Sequence, residues 1–219
     1  MSRALLAEAI GSFFLFATVV GSGIMAAGLA GGNVAIALIG NTLATAAMLF
    51  VLITMLGPTS GAHFNPAVTA VFALRGELTP GTALAYAVAQ LAAGVLGVWA
   101  AHVMFDLPVL QISMKERTGI GQWAGEVIAT FGLVLTILLT IEARRAWVPA
   151  SVALYIAAAY WFTSSTSFAN PAITVARSLS DSFAGIAPFD VPMFVAAQLA
   201  GALMAAGAAR VLLGPKDAD

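Results

Sequence analysis

Six stretches of the chain are each roughly twenty residues long, mostly apolar and nearly free of charge, which is the length a helix needs to cross the hydrocarbon core of a bilayer. They run over about Ala4–Ala27, Val34–Leu56, Thr82–Met104, Gln122–Ile141, Val148–Ser164 and Val191–Leu213. Composition agrees. Of 219 residues, 61% are hydrophobic and only 9% charged, and the mean hydropathy is +0.98. A soluble domain of this size carries about a quarter charged residues, so the surface is expected to face lipid. The first stretch is too long for the apolar core of a signal peptide and contains Glu8, so it reads as a retained span. A net charge of −1 leaves no electrostatic footprint for nucleic acid. Cysteine is absent, which removes disulfides, thiolate catalysis and cysteine metal sites together.

Two connections, Gly57–Gly81 and Ser165–Asp190, contain apolar runs of about ten residues, too short to span. One follows Asn65-Pro66-Ala67 and the other Asn170-Pro171-Ala172. Asparagine is a good N-cap and proline suits the first helical position, so each run is expected to be a half-helix with its start fixed at asparagine. The two halves of the chain repeat each other: Glu8-Ala9-Ile10-Gly11-Ser12-Phe13 matches Glu126-Val127-Ile128-Ala129-Thr130-Phe131, the two Asn-Pro-Ala runs match, and Ala89-Gln90-Leu91-Ala92 matches Ala197-Gln198-Leu199-Ala200, at offsets of 118, 105 and 108 residues. Each repeat, about 1–110 and about 118–219, carries three spans. An odd number inverts the second copy, and inverted repeats place their site near the bilayer midplane between broken helices. The expected fold class is an all-α membrane protein: one channel domain of six transmembrane helices and two re-entrant half-helices.

Inversion brings the half-helices in from opposite faces, so that their N-termini meet near Asn65 and Asn170. Each N-terminus carries roughly half a positive charge. Two facing ends repel cations and protons and let neutral dipolar molecules pass. If backbone takes each asparagine oxygen, its NH2 is left to donate to a passing solute. Orientation follows the Lys/Arg bias: with both termini cytoplasmic, Arg3, Arg75, Arg144, Arg145, Arg210 and Lys216 lie inside, against Lys115, Arg117 and Arg177 outside.

These motifs resemble the major intrinsic protein family, the aquaporins and aquaglyceroporins. Gly61-Ala62-His63-Phe64-Asn65-Pro66-Ala67-Val68-Thr69 is similar to the family's first signature and Asn170-Pro171-Ala172 to its second, and the resemblance spans essentially the whole chain. It implies a passive channel for small uncharged solutes, a homotetramer with one pore per subunit, no cofactor, and membrane lipid as surroundings. Pore-lining carbonyls are then expected around Gly61, Ala62, His63 and Phe64 and around Thr166–Ala169. Glu8 and Glu126 are expected to brace the two re-entrant loops, a proton relay being the alternative. A carboxylate within a span is costly and needs partners.

Ungapped spacing maps the family's four-residue constriction onto Thr45, Ala158, Ser167 and Ile173. Water-selective relatives carry arginine at the last of these positions, directly after Asn-Pro-Ala, often with a histidine on the fifth span; here Ile173 and Ala158 replace them. The nearest arginine is Arg177, one helical turn on. Either Arg177 reaches back and restores a charged constriction, or it stays in the outer vestibule, pairs with Asp181 at i+4, and leaves the constriction wide and uncharged. The second placement is favoured. It implies passage of solutes larger than water, such as glycerol or neutral metalloid hydroxides like arsenous acid, and the pattern is similar to a bacterial subgroup linked to arsenic handling.

Other polar residues have plainer readings. His63 fits either the pore mouth or loop bracing. His102 is expected to be interfacial, and Gln90 and Gln198 either steady the asparagine loops or join helices. A secondary transporter with alternating access is the rival function, although no coupling-ion site accompanies the motifs. An enzyme lacks material: there are two histidines, no cysteine and no HExxH-type spacing. Short loops and the lack of tails point to a bacterial cytoplasmic (inner) membrane.

Overall fold

A computed structural model describes residues 2–214, all helix and connection; Lys216 lies outside the described residues. Eight α-helices follow in order: α1 Arg3–Leu29, α2 Val34–Ser60, α3 Pro66–Leu74, α4 Pro80–Met104, α5 Ile120–Arg144, α6 Val148–Phe162, α7 Pro171–Arg177 and α8 Val191–Leu213.

Local chemistry sets the boundaries. Ser2, Asn33, Asn65, Thr79 and Asn170 cap helix starts through their side-chain oxygens, and proline occupies the first turn of α3, α4, α6, α7 and α8. The second span continues past its expected end at Leu56 to Ser60. Pro58 sits in its last turn, where it cannot donate the i→i−4 bond and so weakens the helix near its end, and Gly61 closes the helix in the left-handed region at φ 86°.

Among the described residues, five helical stretches are long and apolar enough to cross a membrane. The fourth, Ile120–Phe162, covers two of the expected spans. It doubles back through a 3₁₀ turn at Arg145–Trp147 into α5 and α6. The Tyr155 hydroxyl donates to the Ile128 and Ala129 carbonyls, and the Ser164 hydroxyl to the Gly121 carbonyl, so the two helices run antiparallel. At 15 residues, α6 rises only about 22 Å. The non-helical segment from Thr163 to Asn170 follows it and leads into α7.

In each half the first and third long helices pack together, α1 on α4 and α5 on α8. Glycine permits the close approach: a Cβ on Gly97 would lie 2.2 Å from the Phe13 carbonyl oxygen, and one on Gly201 2.3 Å from that of Val127. The halves join through α2 against α6, and the half-helices interlock them, α3 also touching α8 and α7 also touching α4. The start of α1 and the end of α8 lie on one face, called here the termini face. The half-helix α3 runs from mid-depth toward that face, and α7 toward the far face.

Candidate functional site: a pore at the meeting of two half-helices

Asn65 and Asn170 each tie the two halves together at mid-depth. The Asn65 amide donates to the Ala169 carbonyl (2.7 Å), and the Asn170 amide to the Phe64 carbonyl (2.8 Å). The asparagine oxygens accept from their own half-helices: Asn65 Oδ1 from the Ala67 N–H, and Asn170 Oδ1 from the Ala172 and Ile173 N–H groups. An amide carries two N–H bonds, so one hydrogen locks the opposite loop and the other remains for a solute. That is one donor fewer than expected. Pro66, Ala67, Pro171 and Ala172 form the first turns behind these caps.

The preceding loops are held out of helical geometry. Ala62, Phe64, Thr166, Ser167 and Ala169 all have φ between 48° and 61°, a region costing a side-chain-bearing residue about 1–2 kcal/mol. Buried glutamates hold them there. Glu8 accepts from the His63 N–H (2.9 Å), the Phe64 N–H (2.7 Å) and the Ser60 hydroxyl (2.6 Å). Glu126 accepts from the Phe168 and Ala169 N–H groups, both at 2.8 Å. Gln90 links Glu8 to Thr69 of α3, and Gln198 links Glu126 to Thr174 of α7. These contacts tie each re-entrant loop to the long helices beside it.

A cavity of about 720 Å³ runs along these loops. Its lining is mixed: apolar side chains, Leu15, Val19, Leu49, Leu133, Val152 and Ile156 among them, and a loop wall of Gly61, Ala62, His63 and Phe64, of Ser167, Phe168 and Ala169, and of both asparagines. The wall of the second loop begins at Ser167, one residue later than expected. His63 lies on this wall and also bonds Thr69 through Nδ1 (3.1 Å), so the two readings of His63 coexist. His102 is fully buried rather than interfacial, between the Val109 carbonyl and the Ser180 hydroxyl.

Toward the far face the wall holds Thr45, Tyr160, Ser167, Ile173 and Arg177. Ala158 is not among them; it is exposed on the outside of the bundle. Residues 152, 156 and 160 share the pore face at helical spacing, and Ala158 sits about 200° around from Tyr160. Because α6 is apolar on every side, its sequence carries no phase signal. Tyr160 therefore stands where Ala158 was expected, its hydroxyl 3.4 Å from the Thr45 hydroxyl. The buried Ser167 hydroxyl has no protein partner.

Arg177 is not in a vestibule and does not pair with Asp181. It is 2% exposed, its Nε donates to the Ala184 carbonyl, and its guanidinium lies 3.3 Å from the centroid of the Phe168 ring. The carboxylate of Asp181 instead accepts from the Met114 N–H (3.0 Å). The physical reason is helix geometry. Side chains lean toward the helix N-terminus, so Arg177 points back over Ile173 toward mid-depth, and a carbonyl and a π face compensate its charge. Arg177 thus borders the cavity instead of pairing with Asp181, which corrects the favoured placement.

Two further cations were invisible as site residues. Arg117 descends from the connection between α4 and α5, is 8% exposed, and lies 4.8 Å from the Phe168 centroid. Lys115 donates to the Phe183 carbonyl (2.6 Å). Burial, then Arg117 and Arg177, push the Lys115 ammonium down to about 8. The segment Lys115-Glu116-Arg117 reads as an ordinary solvated turn, and nothing in its pattern signals depth. Among the described residues no group of three or more His, Asp or Glu is placed to hold a metal ion.

Comparison with known proteins agrees with this geometry. The family model of the major intrinsic protein matches residues 1–167. Aquaglyceroporin AqpS of Rhizobium meliloti (strain 1021) is 56% identical over 98% of this chain and 92% of its own length. The lens fiber major intrinsic protein of Gallus gallus is 34% identical over 69% of this chain and 58% of its own. The solved structure of the aquaglyceroporin from Plasmodium falciparum superposes with a TM-score of 0.71 at 18% identity, covering 97% of both chains.

Proposed function

The chain belongs to the major intrinsic protein family and is a passive membrane channel for small uncharged solutes; we propose that these include, besides water, glycerol and neutral metalloid hydroxides such as arsenous acid, and that protons and ions are turned back. The observation that carries this reading is the mixed apolar and polar lining of the cavity. Its apolar part suits a carbon backbone or the face of a flat hydroxide. Its polar part, with the Asn65 and Asn170 amides, the free Ser167 hydroxyl and Arg177, suits a row of hydroxyl groups. A small polyhydroxy molecule satisfies both parts, so the desolvation cost of entering is offset along the path. The similarity to a relative named as an aquaglyceroporin supports the same reading.

Cation exclusion follows from two helix N-termini converging at the asparagines, reinforced by the Arg177 charge. A water bound to both asparagine donors points its hydrogens away from the centre and interrupts a proton-conducting file.

The same proposal takes residues 1–219 as one channel domain of two inverted repeats in the inner membrane, assembled as a homotetramer with both termini cytoplasmic. Arg3, Arg75, Arg144, Arg145 and Arg210 on the termini face, against Lys115, Arg117 and Arg177, support that orientation.

Proteoliposomes reconstituted with the protein test the solute range. Water, glycerol and arsenous acid uptake are expected to rise linearly with their own gradients, with no proton flux and no dependence on a proton or sodium gradient. Water-only permeation overturns the proposed solutes, and saturable gradient-coupled uptake favours a transporter.

A further inference from the structure

Three successive carbonyls at the far face, those of Phe183, Ala184 and Gly185, each receive a different cationic side chain. Lys115 Nζ donates to Phe183 (2.6 Å), Arg177 Nε to Ala184, and Arg117 Nε to Gly185 (2.7 Å). The middle bond holds the arginine that borders the pore. The flanking two come from the connection between α4 and α5, which links the two halves of the chain.

That connection is fastened at several points. The Ser113 N–H donates to the Ser178 carbonyl, the Ala187 N–H to the Lys115 carbonyl, and the Arg117 N–H to the Asp190 carboxylate. Arg117 also donates through Nη1 to the Ser165 carbonyl (3.3 Å), at the base of the second pore loop, and it shares the Phe168 ring with Arg177. The fit is close: a Cβ on Gly185 would come within 2.3 Å of the Ser113 hydroxyl and 2.5 Å of the Ser180 carbonyl oxygen. Arg117 itself does not reach the cavity wall.

We infer that Arg117 is a positioning residue for selectivity: by clamping the Gly185 and Ser165 carbonyls on either side of Phe168, it fixes where the Arg177 guanidinium stands, although it never meets the solute. Lys115 performs the same task at the edge of the clamp. A planar guanidinium with several donors in a fixed fork can bridge two carbonyls on different segments; an ammonium is a point charge without that geometry. The inference rests on Arg177 bordering the constriction, as in the proposed function.

The test compares the glycerol-to-water permeability ratio in proteoliposomes of wild type, Arg117→Gln, Arg177→Ala and the double variant. Arg177→Ala is expected to change the ratio. Arg117→Gln is expected to change it by roughly threefold or more, within the range of coupled neighbours, and to add nothing in the Arg177→Ala background. Arg117→Lys falls between wild type and Arg117→Gln. A merely structural Arg117 lowers both permeabilities in proportion and leaves the ratio alone, which overturns the inference, as does a full additional shift in the double variant. If Arg177→Ala alters the ratio and Arg117→Gln does not, only this inference fails; if Arg177→Ala is silent, the reading of the constriction fails with it. Should Arg117→Gln not reconstitute, Lys115→Met replaces it: a smaller ratio change that vanishes in the Arg177→Ala background is expected, and no change overturns the clamp.

Discussion

The two ends of the pore are built on one plan and filled with different chemistry. On the termini face His63 contacts Phe72 (ring centroids 4.6 Å apart) and Tyr86 (5.6 Å). On the far face Phe168 stands at the equivalent position, against Arg177 (3.3 Å) and Phe194 (5.2 Å). The offsets of 105 and 108 residues that relate the motifs also relate His63 to Phe168, Phe72 to Arg177 and Tyr86 to Phe194. The braces share one core: Glu8, Thr69 and Gln90 repeat the backbone and amide bonds of Glu126, Thr174 and Gln198, with the Ser60 hydroxyl and His63 added in the first half. Repetition thus maintains the loops, and the chemistry departs from repetition at the two mouths. An aromatic contact at one mouth becomes a cation held over a ring at the other.

The largest effect should come from the shared part. Glu8→Ala and Glu126→Ala each strand two buried backbone N–H groups, at a cost of about 3 kcal/mol or more, with loss of conduction. Thermal or detergent denaturation of the two variants should give similar losses, and a brace that matters in only one half would break the equivalence. Next come Gly97→Ala and Gly201→Ala, which push a methyl against a backbone carbonyl in either half and should cost about 1–3 kcal/mol each by the same assay.

The divergent part predicts smaller changes confined to flux. Ile173→Arg adds a second guanidinium beside the first and should cut glycerol passage severalfold while sparing water. Unchanged glycerol passage would show that Ile173 does not face the narrow region. The smallest effect is a pH dependence at Lys115. Burial lowers its folded value to about 8 from 10.5. Between those values the unfolded chain holds more protons, so this group makes the fold more stable as pH rises through that window. The melting temperature of wild type relative to Lys115→Met should therefore increase from pH 7 to pH 9.5; a constant difference would place Lys115 in solvent.

Much of this was readable from residues. The paired Asn-Pro-Ala runs marked both half-helices, because a capping asparagine followed by proline defines a helix start whatever surrounds it. Glu8 and Glu126 stood out because a carboxylate in an apolar span needs partners. What escaped was rotation and depth. An all-apolar α6 could not announce that Tyr160, rather than Ala158, faces inward. Arg177 was assigned to a surface pair with Asp181 by counting four residues along a helix, whereas the backward lean of helical side chains sends it toward mid-depth. Arg117 sits in a charged turn whose pattern is that of a solvated loop, and it is buried by Ser165, Phe168, Gly185 and Asp190, all far away in sequence.

The central claim is that solutes pass along the wall that carries Asn65, Asn170 and Ser167. The chain has no cysteine, so single cysteines can be placed without background. Glycerol uptake into proteoliposomes should be measured for Ser167→Cys and Ala158→Cys before and after a mercurial reagent. Uptake is expected to collapse in Ser167→Cys and to stay unchanged in Ala158→Cys; an unblocked Ser167→Cys, or equal inhibition of both, would contradict the account.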